Sequence, residues 1–139
     1  MNEWKQVAIQ ADIDLLMNEF CAFHDSCIVS VNYFSGSFVD TNGTMKGGDE
    51  CDKVLCVSFD SQTVKKKLEL RFTGVRSFGF VGWQKGCFCD INGCYLNFDS
   101  DSGLIIWSDS EDFLSENPIS LINPQYSYVV SSFLEWNLE

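Results

Sequence analysis

The hydrophobic period changes once along this chain and does not change back. Over residues 7–23, Ile9, Ile13, Leu16, Phe20 and Phe23 recur at steps of four, three, four and three, which places them on one face of a helix. Gln10, Asp12, Asp14 and Asn18 fall mostly on the other faces. Asp12 and Asp14 suit the positive end of the helix dipole if the helix starts late. The short polar run His24-Asp25-Ser26 should stop it, because such side chains compete for backbone hydrogen bonds.

Everything after that run reads as strand or loop. Residues 27–34 and 54–59 are rich in β-branched and aromatic residues, and residues 68–75 alternate apolar and polar, as a half-buried strand does. Residues 78–81 and 89–91 read as short strands. Residues 94–99 and 104–107 flank Ser100-Asp101-Ser102-Gly103, where Gly103 can take the positive φ of a hairpin turn. Residues 128–136 form a last strand. Residues 35–53 hold four glycines and read as loop with a short edge strand at Phe38 and Val39. Residues 108–125, with Pro118 and Pro124, read as loop with room for one helical turn. The lysines at 65, 66 and 67 should solvate a turn or edge. One helix followed by strands with no helices between them predicts an α+β fold: an N-terminal helix and a largely antiparallel β-sheet. The 139 residues, 45% of them hydrophobic, are expected to form a single domain over residues 1–139, since two halves would each be too small for a sound core.

The chemistry-bearing motifs are few. Lys plus Arg number 9 against 20 Asp plus Glu, a formal net charge of -11, and that balance argues against a nucleic-acid partner. No phosphate loop of the G-x-x-x-x-G-K type occurs. His24 is the one imidazole; beside Asp25 and Ser26 it imitates a triad, but triad members converge from separate segments. Phe23, His24, Asp25 and Ser26 therefore read as a structural corner. The run from Asp99 to Gly103 starts like a calcium loop, but its glycine falls at the fifth position and Ser110 at the twelfth. The pairs Asp12 with Asp14, Glu50 with Asp52 and Glu111 with Asp112 read as solvated surface. No metal, no cofactor and no enzymatic activity are expected.

Seven cysteines, an odd number, fit a disulfide framework poorly. Cys21, Cys27 and Cys56 have apolar neighbours and are expected in the core. Cys87, Cys89 and Cys94 are the one close group; a tetrahedral zinc site would need a fourth ligand from Cys51 or His24. The N-terminus carries no basic stretch followed by an apolar one, and no apolar run is long enough to span a bilayer. The expected location is the cytoplasm, with no membrane partner.

Charge is distributed unevenly. All nine basic residues precede Gly86, and residues 86–139 hold nine acidic residues and no Lys or Arg. Asp109, Glu111, Asp112 and Glu116 surround Phe113 and Leu114. A surface of this kind repels anions and steers basic proteins towards itself, although acidity also serves solubility. Asp109, Glu111, Asp112, Phe113 and Glu116 are the candidate partner-binding residues, with Phe113 as the apolar anchor.

The helix ending in Phe23-His24-Asp25-Ser26-Cys27-Ile28, the strand Leu68-Glu69-Leu70-Arg71-Phe72-Thr73-Gly74-Val75, then Phe78, Phe80, Cys89-Asp90-Ile91 and the Gly103 hairpin together carry a resemblance. Over roughly residues 10–110 the chain resembles small cytosolic bacterial proteins with a Phe-His-Asp corner and an L-x-L-x-F-x-G-V strand. Several of these are assigned as immunity proteins of polymorphic toxin systems. The resemblance implies an α+β fold and a protein that binds and blocks a cognate toxin, which the acidic C-terminal third would meet on a basic surface. Residues 35–53 and the acidic segment after Trp107 match the pattern more loosely, and recognition tends to reside on loops. The alternative function is a small-ligand or metal-binding domain, its pocket lined by Trp83, Phe88 and the nearby cysteines. A hydrolase built on His24 and Asp25 comes third.

Overall fold

In a computed structural model that describes residues 3–113 and 124–139, helix α1 spans Gln10–Glu19. It starts late because Asp12 reaches back. Its carboxylate accepts the backbone N–H groups of Ala8 at 2.8 Å and Ile9 at 3.0 Å. Those two bonds hold the Asp12 carboxyl below its ordinary range. Ile13, Leu16, Phe20 and Phe23 are buried as their spacing predicts, but Ile9 lies before the helix and is 61% exposed. Val7 is buried instead, its N–H bonded to the Leu134 carbonyl.

The helix ends in a left-handed turn. Cys21, Ala22 and Phe23 have φ of 51°, 53° and 65°, and Asp25 has 60°. Backbone of this hand costs roughly 1–2 kcal/mol per residue outside glycine. What offsets the cost is the place it gives Phe23, whose ring lies 5.2 Å from those of Phe20 and Phe59 and 6.0 Å from Trp107. Burying such a ring contributes about 3–5 kcal/mol, judged by truncation to alanine.

Seven strands form the main sheet: β1 (Lys5–Gln6), β2 (Ser26–Phe34), β5 (Val54–Ser61), β6 (Leu68–Gly79), β7 (Tyr95–Phe98), β8 (Ile105–Ser108) and β9 (Tyr128–Leu138). β3 (Phe38–Val39) and β4 (Met45–Lys46) make a separate hairpin. The order is β2-β5-β6-β9-β8-β7, with β1 added on β9, and every pairing is antiparallel. The fold is α+β and mostly β. Arg71 of β6 lies 3.9 Å from the centre of the Trp4 ring and bonds Glu135 of β9 at 2.6 Å, while Lys5 of β1 covers Trp136.

Phe59 on β5 and Trp107 on β8 lie 5.5 Å apart although β6 and β9 stand between their strands. The sheet therefore curls, and α1 with Phe23 fills its concave face. β6 bends where Gly74 takes φ +70°, and a Cβ there would sit 2.9 Å from that of Ser132. A register shift follows between Val75 and Ser77. Because of this bend β6 runs on to Gly79, so residues 78–81 are not a strand of their own. The 89–91 segment is likewise not a strand; only Ile91 makes a bridge, to Ser26. The β7–β8 hairpin turns at Gly103 (φ +72°), with the Asp99 carboxylate taken up by Ser102.

The cysteines depart from expectation. Cys21 is exposed, Cys27 and Cys56 are half-buried, and Cys94 is the buried one. Strand alternation explains Cys56: Leu55, Val57 and Phe59 take the core side of β5. Lys65, Lys66 and Lys67 are exposed. Among the described residues no helix is long and apolar enough to cross a membrane.

Ala22 is exposed with φ 53°, so Ala22→Gly removes a left-handed penalty without touching the core. The variant should be more stable by about 0.5–1 kcal/mol, measured as a raised urea midpoint at unchanged slope.

Candidate functional site

Three chain segments meet where β6, β9 and β8 end. The loop leaving Gly79 returns to the start of β2, where Asp25 N–H donates to the Ile91 carbonyl and Ile91 N–H to the Ser26 carbonyl. Along the way it is clipped to the segment that leads into β9. Val81 N–H donates to Ser127 Oγ at 2.9 Å, and Gln84 Nε2 to the Pro124 carbonyl at 2.8 Å. The residues after β8 close the third side, with Ser108 Oγ donating to the Ser127 carbonyl.

Together they enclose an open cavity of about 950 Å³. Trp83, Phe88, Cys87 and Cys89 line it, as do Asp90, Asp109, Glu111 and Asp112. The structure thus brings together residues that the sequence assigned to two separate hypotheses, the acidic binding segment and the aromatic-cysteine pocket. Trp83 and Phe88 are 88% and 87% exposed, so their ring faces are open to a ligand. No Lys, Arg or His is among the lining residues.

Asp109 is the carboxylate set deepest. It accepts Ser127 N–H at 2.8 Å and returns its own N–H to the Ser127 carbonyl. Burial pushes its pKa up to about 6, against the lowering effect of the Ser127 hydrogen bonds. Glu111 lies over Gly93, where any Cβ would collide with its carboxyl group. Beneath them Cys94 is buried; burial first, then the Glu111 and Asp109 charges, push its thiol well above the ordinary range. The Trp107 indole N–H, directed at the thiol, opposes that shift.

The remaining candidates are placed as follows. Phe113 is half-buried, stacked on Tyr128 at 5.5 Å and edge-on to Tyr126 at 5.8 Å. Its ring supports the acidic segment and is not a free anchor. Glu116 and Leu114 lie outside the described residues. At the corner, Phe23 and Ser26 are buried, and Ser26 Oγ donates to the Phe23 carbonyl at 2.6 Å. His24 and Asp25 pair at 3.0 Å on the surface, with the ring 57% exposed. Ser26 points away from them to its own turn, so the three do not form a relay. Of the close cysteines, Cys87 and Cys89 stand on the cavity wall while Cys94 is below it. Among the described residues no three His, Cys, Asp or Glu side chains converge on one point as a metal ion needs. The carboxylates share the lining with two open aromatic rings and do not converge, which suits an extended organic cation better than a point charge.

No family model matches the chain, and neither a curated protein nor a solved structure does.

The raised Asp109 pKa carries a sign. A carboxyl whose folded pKa exceeds its unfolded value contributes stability that is full below about pH 4 and lost as pH rises through about 6. The size is at most about 3 kcal/mol. Asp109→Asn keeps the shape but has no such proton. Subtracting its unfolding free energy from that of the wild type should give a difference that shifts against the wild type between pH 4 and 7; a flat difference would place Asp109 in water.

Proposed function

We propose that this protein is a non-enzymatic binding protein, an immunity-type inhibitor that occludes a basic toxin surface. The observation that supports it best is the cavity itself. Four carboxylates and two open aromatic faces surround a space with no basic residue in its lining. A Lys or Arg side chain of a partner would meet both of its preferred contacts there, a carboxylate at one end and a ring face along its length. Asp109 is the anchor in this reading. A cation beside it favours the ionised carboxylate and offsets the cost of its burial. The acidic residues after Gly86 steer a basic partner in, and the covered surface of that partner is blocked sterically. The cysteines have no ligand role in this mechanism, nor do nucleic acid, metal or cofactor.

A cytoplasmic setting and the resemblance to immunity proteins agree with this reading. The second reading uses the same cavity for a free small organic cation. Its volume of about 950 Å³ lies within the range of small-molecule sites, roughly 300–1,000 Å³.

The test compares two baits in lysate of the native host: wild type, and a variant carrying Asp109→Asn, Glu111→Gln, Asp112→Asn and Glu116→Gln. One basic protein should leave the wild type in a defined salt window and leave the variant at least tenfold more weakly bound, with a shallower salt dependence. Equal affinity and equal salt dependence for both baits would overturn the inhibitor reading. A melting temperature raised by free arginine or spermidine, with no protein retained, would establish the small-cation reading in its place.

A further inference from the structure

The two edges of the main sheet are unlike. β7 is four residues long and runs into the turn that carries Asp99 and Asp101. β2 is nine residues long and hydrogen-bonded to β5 on one side only. On its outer side only the start is met, where Ser26 bridges Ile91; no strand among the described residues pairs the rest. Proteins usually protect such an edge with charge, proline or brevity, because its free N–H and C=O groups are a template for another strand. β2 has none of these. From residue 26 to residue 39 there is no Asp, Glu, Lys, Arg or Pro. Val29 and Phe34 are 49% and 62% exposed, and Tyr33 is 40%. A bulge between Ile28 and Ser30 disturbs the first part of the strand, but residues 30–34 keep a regular register against β5.

We infer that β2 is a self-pairing edge, and that two copies of this chain join through residues 30–34 in antiparallel fashion across a two-fold axis. Charge selects the occupant. A basic partner gains nothing from an uncharged strand, whereas a second copy puts only uncharged residues opposite one another, in a chain whose net charge is -11. Symmetry selects it as well: in an isologous contact each free N–H finds the carbonyl of an identical edge. With the axis at Asn32, Tyr33 of one copy lies opposite Val31 of the other, and Phe34 opposite Ser30. The first is an aromatic and β-branched pair of the kind that stabilises cross-strand contacts. The β3–β4 hairpin that follows β2 in the chain also exposes Phe38, Val39 and Met45.

Salt separates this contact from binding of a basic partner. Two acidic copies repel, so screening should tighten their pairing, whereas it weakens a charge-driven complex. Sedimentation velocity on the full chain under reducing conditions, over a hundredfold concentration range, should show a shift from the 15.7 kDa chain mass to twice that value. The dimer should be favoured at higher salt. Ser30→Lys with Phe34→Lys puts lysine opposite lysine across the axis, and should leave a monomer with unchanged far-ultraviolet circular dichroism. If that variant unfolds, Asn32→Lys, a single change at an exposed position that sets lysine against lysine on the axis, carries the same test. A wild type that stays at the single-chain mass throughout, or a folded variant that still dimerises, overturns the inference.

Discussion

The contact on which the rest depends is the Phe23 ring held between Phe59 and Trp107. Those two residues belong to strands that are not neighbours, so their meeting requires the sheet to curl, and the ring is what they curl around. Aromatic pairs in edge-to-face geometry contribute about 0.5–1.5 kcal/mol each beyond the area they bury. Phe23 makes three aromatic contacts, and Phe59 meets Phe20 and Trp107 as well. The left-handed turn at Cys21, Ala22 and Phe23 is tolerated for this reason. An ordinary helix end would carry the ring past the cleft, and strain is kept where the surroundings over-determine it.

The same curl builds the cavity. It brings the ends of β6, β8 and β9 to one side of the sheet and leaves the loop after Gly79 to cross back to β2. Hydrogen bonds to Ser127, Pro124 and Ser26 fix that loop, so it is fastened both to the segment that leads into β9 and to the start of β2. Elsewhere in the lining the Asp109 carboxyl is buried without a basic side chain beside it. Such a group adds nothing to folding at neutral pH and is tolerated at a cost.

The fold was largely legible because its signals are local. Alternation marks residues 68–75 as a half-buried strand, and the burial of Ile13, Leu16 and Phe20 follows from helical spacing, whereas Phe23 is buried through the left-handed turn that ends the helix. Ile9 failed because Asp12 caps the helix from inside its first turn, which moves the start past Ile9 and hands its place to Val7. The cysteines failed because apolar neighbours in sequence do not say which face of a strand a residue takes; Cys56 alternates out while Leu55 and Val57 alternate in. The site was legible only as two halves. Trp83 and Phe88 are separated from Asp109 and Glu111 by the β7–β8 hairpin, and no pattern in the sequence says that the pairing of β6, β9 and β8 will bring them to one cavity. Charge had pointed to one half and aromatic content to the other.

The tryptophans are distributed so that the protein reports optically on itself. Trp107 and Trp136 are buried in the core and Trp4 is half-buried beneath Arg71, outside the cavity lining, whereas Trp83 stands almost fully in water among the residues that line the cavity. Their fluorescence therefore separates by wavelength, blue for the two enclosed indoles and red for the solvated one. Loss of the blue component reads unfolding, and a change confined to the red component reads an occupied cavity, with no label attached to the chain.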